Sequence, residues 1–316
     1  MGSFAGVTPD GNFLARIQRG ELGGVILFGR NITTLPRLKA TIATLQAAAA
    51  RGSNPPLLIA TDQEGGKVKR LPAGPPSASA QTMGANDDGA TVKQIGKATG
   101  LYLRKLGIDV DLAPVLDVGN ASASFLGSRI FSANPAIVTN LGPSFVSGLQ
   151  RARVAATAKH FPGLGTASGN TDSRSILVTT SRSELLRRLA PFNAAIRVGV
   201  KLVMVSNAGY PALDPSGLPA SLSPLIVNQM LRNELGFSGV VITDAMSAPG
   251  PAAYSDAPIR ALNAGVDILL YSDGPASSAR AFQLLVNAVR SRAIPLATLE
   301  ASNARVMALK SWLAGP

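Results

Sequence analysis

Lys159-His160-Phe161-Pro162-Gly163-Leu164-Gly165, running on through Asn170-Thr171-Asp172, is the most informative stretch of the chain. It holds the only histidine among 316 residues. The apolar run before it, Val154 to Ala158, reads as a short buried strand; two titratable residues then emerge side by side, and Pro162 and Gly163 turn the chain into a loop. Strands that end in polar residues and a glycine loop are how a (β/α)8 barrel builds its functional face. On its own the stretch fits an ordinary turn with a hydrogen-bonded packing histidine equally well.

The rest of the chain favours the barrel. Gly23–Phe28, Leu57–Ala60, Val110–Val115, Leu202–Val205, Val240–Ile242 and Val266–Leu270 are further short apolar runs, each followed by polar residues. Between them lie helical patterns: Leu38, Ile42 and Leu45 after Pro36; a Ser181/Glu184 capping box ahead of Leu185, Leu189, Phe192 and Ile196; and Ser223-Pro224 opening a helix that Gly236 closes. Strand and helix in alternation mean parallel strands joined by crossover helices. The predicted fold class is therefore α/β, a TIM-like (β/α)8 barrel, with residues 1–316 as a single domain. A doubly wound sheet is the alternative, although no G-x-G-x-x-G follows any strand. The runs number seven where a barrel needs eight. The missing strand must precede Gly23, so it is either very short, with Phe4 as a remnant, or the natural chain begins earlier.

Composition narrows the function classes. Hydrophobic residues at 46% against 15% charged describe a globular chain with a sizeable core. No apolar run approaches the ~20 residues of a membrane span, and no secretory n-region and h-region opens the sequence. The compartment stays open between cytoplasm and cell envelope or exterior. No cysteine and one histidine exclude disulfide and thiolate chemistry and speak against zinc; neither metal nor cofactor is expected. The net charge of +12 favours anionic partners, but the cations are scattered, with no basic run and no interleaved aromatics, so nucleic acid is not expected. A monomer is.

Several strand ends carry chemistry. Asp244 follows Val240-Val241-Ile242-Thr243, at the mouth of the expected barrel; its competing role is a helix N-cap. Asp62-Gln63-Glu64-Gly65-Gly66 runs into Lys67, Lys69 and Arg70; two glycines let a backbone approach a ligand, and carboxylates with cations suit a polyhydroxylated one. A solvated turn with local ion pairs is the alternative. Arg129 sits in a Gly/Ser-rich loop, and Lys159 and His160 add donors. The set points to hydrolysis or transfer on a polar organic substrate rather than redox chemistry.

Five stretches together, Gly23–Asn31, Asp62–Gly66, Ala113–Val118, Lys159–Gly163 and Gly239–Ala245, resemble glycoside hydrolase family 3, in its single-domain β-N-acetylglucosaminidase branch. The resemblance implies a TIM-like barrel and retaining hydrolysis of terminal β-linked N-acetylglucosamine, a place in carbohydrate metabolism such as peptidoglycan recycling, and a carbohydrate partner; the charge of +12 would suit anionic cell-wall fragments. By resemblance Asp244 is the nucleophile, and Asp62, Arg70, Arg129, Lys159 and His160 hold the sugar. Asp62 and Lys159 should then matter more for sugar affinity than for fold stability.

One departure stands out. The branch pattern has Gly-His-Gly where this chain has Gly163-Leu164-Gly165, and then an Asp-Ser-His whose Asp and His form the acid/base dyad. Without gaps, Asn170 takes the place of the dyad Asp and Asp172 that of the His; a shifted register would put Arg174 there. In the ungapped register Asp172 is the candidate acid/base and Asn170 its orienter. A non-catalytic sugar binder, or β-glucosidase specificity, are the alternatives. Asn207 is a second exchange, at a strand end where the family often has His.

Overall fold

The computed structural model describes residues 1–315. Its strands are β1 (Gly24–Leu27), β2 (Leu58–Thr61), β3 (Gln63–Gly65), β4 (Val68–Lys69), β5 (Val110–Asp111), β6 (Ala155–Phe161), β7 (Leu202–Val205), β8 (Val240–Ala245) and β9 (Ile268–Leu270). Seven of them form one parallel sheet in the order β1-β2-β5-β6-β7-β8-β9, and β3 pairs with β4 as a separate antiparallel hairpin. The eighth stave is residues 1–3. Gly2 pairs in parallel with Val25 of β1, while the Met1 carbonyl accepts from Tyr271 N–H beyond β9 at 3.0 Å. The sheet edges thus meet through a stave of three residues, and the curled sheet is a TIM-like barrel.

Alternation along the strands divides the core in two. Ile26, Leu58, Ala60, Val110, Leu112, Ala155, Leu202, Met204, Val240 and Ile242 fill the barrel interior. Their neighbours Val25, Leu27, Ile59, Val203, Val205 and Val241 face the helix layer. This period of two, with apolar residues on both faces, is why the strands read as continuous apolar runs. Helices Leu35–Arg51, Gly89–Lys105 and Pro135–Arg151 cover the outside. None of the described helices is long and apolar enough to cross a membrane.

Three expectations shift. The regular ladder of β5 stops at Asp111: beyond it Thr157 N–H donates to the Ala113 carbonyl at 2.8 Å and Lys159 N–H to that of Pro114 at 3.2 Å, Pro114 has no N–H to give back, and the next paired residue is Val115, with Lys159. The helix expected to run on from the Ser181 cap breaks at Leu189, where Pro191 starts a second helix, Ala190–Arg197. The helix opened by Ser223-Pro224 is present at Leu225–Glu234 but is wound as a π-helix. Its Ser223 hydroxyl accepts from Ile226 N–H at 3.2 Å, and Gly236 ends it with φ +69°.

One buried acid gives the fold a pH signature. Asp111 is fully buried between β2 and β6, with Oδ1 accepting from Gln63 N–H at 2.9 Å. Burial raises its carboxyl from the usual 3.8 to about 8. The folded state therefore keeps a proton that the unfolded chain releases near pH 4. Stability conferred by the protonated acid is complete below the unfolded value and is lost as pH rises to about 8. Relative to Asp111→Asn, the wild type should lose stability over that window, by at most about 1.4 kcal/mol per pH unit. Urea titrations at each pH measure the difference; parallel curves between pH 4 and 8 would contradict it.

Candidate active site

The C-terminal ends of the strands open into a cavity of about 300 Å³. Asp62, Arg70, Arg129, Lys159, His160, Asn170, Asp172 and Asp244 all line it, together with Phe28, Leu112, Leu164, Met204 and Leu270. The structure therefore gathers all eight residues singled out from the sequence, drawn from five separate loops and strand ends.

β6 delivers two of them. In a regular strand Lys159 and His160 would point to opposite faces. Here the β6–β7 register jumps between Lys159↔Met204 and Phe161↔Val205, a bulge that lets both neighbours face the cavity. Lys159 is only 2% exposed. Its Nζ lies 2.9 Å from Asp62 Oδ1 and 2.7 Å from Glu64 Oε1. Glu64 in turn grips Arg129 at 2.8 and 2.9 Å, and Arg70 approaches Asp62 at 3.2 Å. Burial opposes ionisation of Asp62, but Lys159 and Arg70 outweigh it and bring its carboxyl to about 2. Glu64 follows the same logic and is also lowered; Lys159, desolvated yet flanked by two carboxylates, is raised. The network is charged throughout at neutral pH.

Two of these residues were not assigned to the site from sequence. Glu64 stood out only as part of an acidic motif, yet it is the group that ties Lys159 to Arg129. Asp117 is fully buried and accepts from His160 Nδ1 at 2.7 Å and from Leu164 N–H at 2.6 Å. A carboxylate can only accept, so Nδ1 carries the hydrogen and Nε2 faces the cavity side, 3.5 Å from Arg129. Its signal was an Asp just beyond a strand end, one strand away from the histidine. The glycines of the Asp62 stretch have a different task from the one expected. Gly65 and Gly66, with φ of +96° and +57°, make the β3–β4 turn, and neither lines the cavity. Of the cations after them only Arg70 does. It lies over Phe28, its guanidinium carbon 5.6 Å from the ring centroid, with that of Arg30 at 4.5 Å.

The loop after β6 places the two residues considered for the acid/base position, Asp172 and Arg174, differently. It begins by lying flat on the loop after β5: a Cβ on Gly165 would sit 1.9 Å from the Val118 carbonyl oxygen. From there Asn170, Thr171 and Asp172 turn into the cavity, whereas Arg174 donates to the Ser168 carbonyl at 2.8 Å and is no part of the lining. Asn170 Oδ1 accepts from Asp172 N–H at 3.0 Å, so it fixes the backbone of Asp172. Asp172 is exposed as a residue, but partial desolvation of its carboxyl in the cavity, and then the charge of Asp244, raise that carboxyl, outweighing His160 and Arg129. Asp244 belongs to β8 and caps no helix; its Oδ1 accepts from Ala245 N–H at 2.8 Å. The cavity thus offers a polar wall of paired ions and, separately, two carboxylates in unlike environments. Such a pair can divide acid and nucleophile roles between them. Asn207 is buried and lies outside the cavity lining.

Residues 7–309 match the sequence model of the glycosyl hydrolase family 3 N-terminal domain. The chain belongs to glycosyl hydrolase family 3. Among family relatives, a beta-hexosaminidase of Nitrosomonas eutropha is 33% identical over 88% of this chain and 81% of its own. An uncharacterized secreted glycosyl hydrolase of Arthroderma benhamiae is 35% identical, over 99% and 91% respectively. The solved family 3 β-N-acetylglucosaminidase of Paenibacillus sp. FPU-7 superposes with a TM-score of 0.95 at 35% identity, covering 99% of this chain; this chain spans 61% of that one. The β-N-acetylhexosaminidase of Beutenbergia cavernae superposes with 0.90 at 33% identity, over 98% of this chain and 95% of its own.

The ion network modifies one expectation. In this family 3 barrel Lys159 supports the fold as well as facing the cavity, because without it Asp62 and Glu64 are left as buried like charges. Lys159→Met should destabilise the protein by about 3–5 kcal/mol, whereas Arg70→Met, at a half-exposed pair, should cost about 1 kcal/mol or less. Urea denaturation of both variants measures this; equal stabilities would contradict the network.

Proposed function

We propose that the protein is a retaining β-N-acetylhexosaminidase, one catalytic barrel that releases terminal β-linked N-acetylglucosamine by double displacement. The observation that carries this reading is Asp172 and Asp244 lining one cavity, with partial desolvation and then Asp244 raising the Asp172 carboxyl. Asp62, Arg70, Arg129, Lys159 and His160 form the wall that holds the sugar hydroxyls. Asp244 attacks the anomeric carbon while Asp172, in its protonated form, gives its proton to the departing oxygen. Attack neutralises Asp244 by turning it into an ester. The charge that raised Asp172 is then gone, so its carboxyl falls back and it accepts a proton from the incoming water. Water attacks the same carbon, the ester bond breaks, and Asp244 leaves as a carboxylate. Asn170 holds Asp172 in place through both steps. The beta-hexosaminidase relatives support the choice of sugar. Arg30 and Arg70 around Phe28, with a net charge of +12, favour leaving groups that carry carboxylates, as anionic cell-wall fragments do.

A panel of aryl β-glycosides tests this. The N-acetylglucosaminide should be cleaved faster than the glucoside, and Asp244→Ala should lower kcat by at least ~10³-fold. Asp172→Ala should lower kcat/KM for substrates with poor leaving groups by about 10²–10⁴-fold and leave kcat/KM for activated aryl glycosides nearly unchanged, because only their second step then needs Asp172. Because Asp172 must be protonated to donate, wild-type activity should fall as pH rises through its raised value, and that basic limb should flatten in the variant. A protein that binds N-acetylglucosamine but cleaves no member of the panel would be a sugar binder on this barrel. Equal losses for good and poor leaving groups would remove Asp172 as the acid.

A further inference from the structure

The strand that carries Asp244 is not regular at that point. β8 pairs with β9 at Ile242↔Ile268 and next at Ala245↔Leu270, so a step of three residues on β8 faces a step of two on β9. Thr243 and Asp244 share the resulting bulge, which re-aims the Asp244 side chain into the cavity. A bulge leaves ladder groups unpaired, and here side chains replace them. On the β9 side, Thr243 Oγ1 accepts from Leu270 N–H at 3.0 Å. On the β7 side, Asn207 Nδ2 donates to the Ala245 carbonyl at 2.7 Å. The same peptide is held at its other end, where Met246 N–H donates to the Leu270 carbonyl at 2.8 Å. Asn207 is itself locked, because its Oδ1 accepts from Ser221 Oγ at 2.7 Å. Since the Ala245 carbonyl can only accept, the amide has one orientation.

Thr243 and Ser221 are fully buried and Asn207 is 2% exposed, so these bonds form out of reach of solvent. Their effect converges on one atom. The Ala245 peptide N–H donates to Asp244 Oδ1 at 2.8 Å, while Oδ2 takes no hydrogen bond among the described residues. Holding the next peptide at both ends fixes where that N–H points, and hence the plane of the carboxylate. We propose that Asn207 and Thr243 are positioning residues that clamp the β8 bulge and aim the free Asp244 oxygen at the anomeric carbon. This rests on Asp244 being the nucleophile. A histidine at 207 would also offer an N–H to the β8 carbonyl.

The test compares Asn207→Ala, Asn207→His and Thr243→Val with wild type. Two quantities are read on an activated aryl β-N-acetylglucosaminide: steady-state kcat and KM, and the rate at which a fluorinated glycosyl donor labels the protein, with the labelled residue mapped by mass spectrometry. A misaimed nucleophile slows chemistry without weakening sugar contacts. Asn207→Ala and Thr243→Val should lower kcat and the labelling rate together by about 10–10²-fold, with KM within about 3-fold, and Asn207→His should regain at least about 10-fold of the Asn207→Ala loss. Near-UV circular dichroism identifies folded variants; Thr243→Val, which keeps side-chain volume, carries the test if Asn207→Ala does not fold. Labelling of Asp244 at the wild-type rate in a folded variant, or a loss confined to KM, would overturn the clamp. Labelling of a different carboxylate in wild type would instead overturn the nucleophile assignment.

Discussion

The site depends on a lysine that could not be buried alone. Lys159 Nζ sits between Asp62 and Glu64 at 2.9 and 2.7 Å, and Glu64 is also bonded to Arg129. Removing any of these from water costs several kcal/mol, and only the opposing charges offset it. The strand end after β2, the loop after β5 and the end of β6 are thereby tied together before any sugar arrives. Asp117 adds a second tie, taking the His160 ring and the Leu164 N–H that starts the Asp172 loop. The polar wall is thus built as a unit. Its hydrogen-bonding groups are held in place by one another, which lowers the entropy cost of ordering them around a ligand.

The other half of the cavity works by contrast. Asp62 has cations at bonding distance and is driven to about 2. Asp172, exposed as a residue, has a partly desolvated carboxyl and a neighbouring carboxylate and is driven upward, with Arg129 and His160 only partly opposing. The two Asp residues differ in their exposure and in their neighbours. One is suited to accept hydrogen bonds as a permanent anion, the other to carry and release a proton. In the proposed mechanism, an aspartate in the place of a histidine keeps a proton donor there, helped by desolvation and by the nearby Asp244.

Much of this was legible in the sequence where a residue's task was written in its own neighbourhood. Apolar runs gave the strands, and the strand-end polar residues gave the cavity wall. Three groups were hidden because their partners come from elsewhere in the chain. Glu64 meets Arg129 across 65 positions, and Asp117 meets His160 across 43. Asn207 meets the Ala245 carbonyl across 38, and no side-chain pattern records a bond to a backbone atom. The stave of residues 1–3 was foreseen only as a gap, since three residues have no readable period; its place is set by Gly2 pairing with Val25. The Gly65-Gly66 pair was read as a ligand approach, although its positive φ values serve a hairpin turn. Sequence shows that glycine is needed at such a point, and the surrounding chain decides why.

The central claim is that Asp244 and Asp172 perform two displacements at one carbon. Each displacement inverts that carbon, so the product must leave with the configuration of the substrate. Proton magnetic resonance of the anomeric region, recorded within the first minutes of hydrolysis and before mutarotation, reads this directly. The account requires β-N-acetylglucosamine to appear first, with the α-anomer growing later. Initial release of the α-anomer would mean a single displacement by water, and Asp244 could not be the nucleophile.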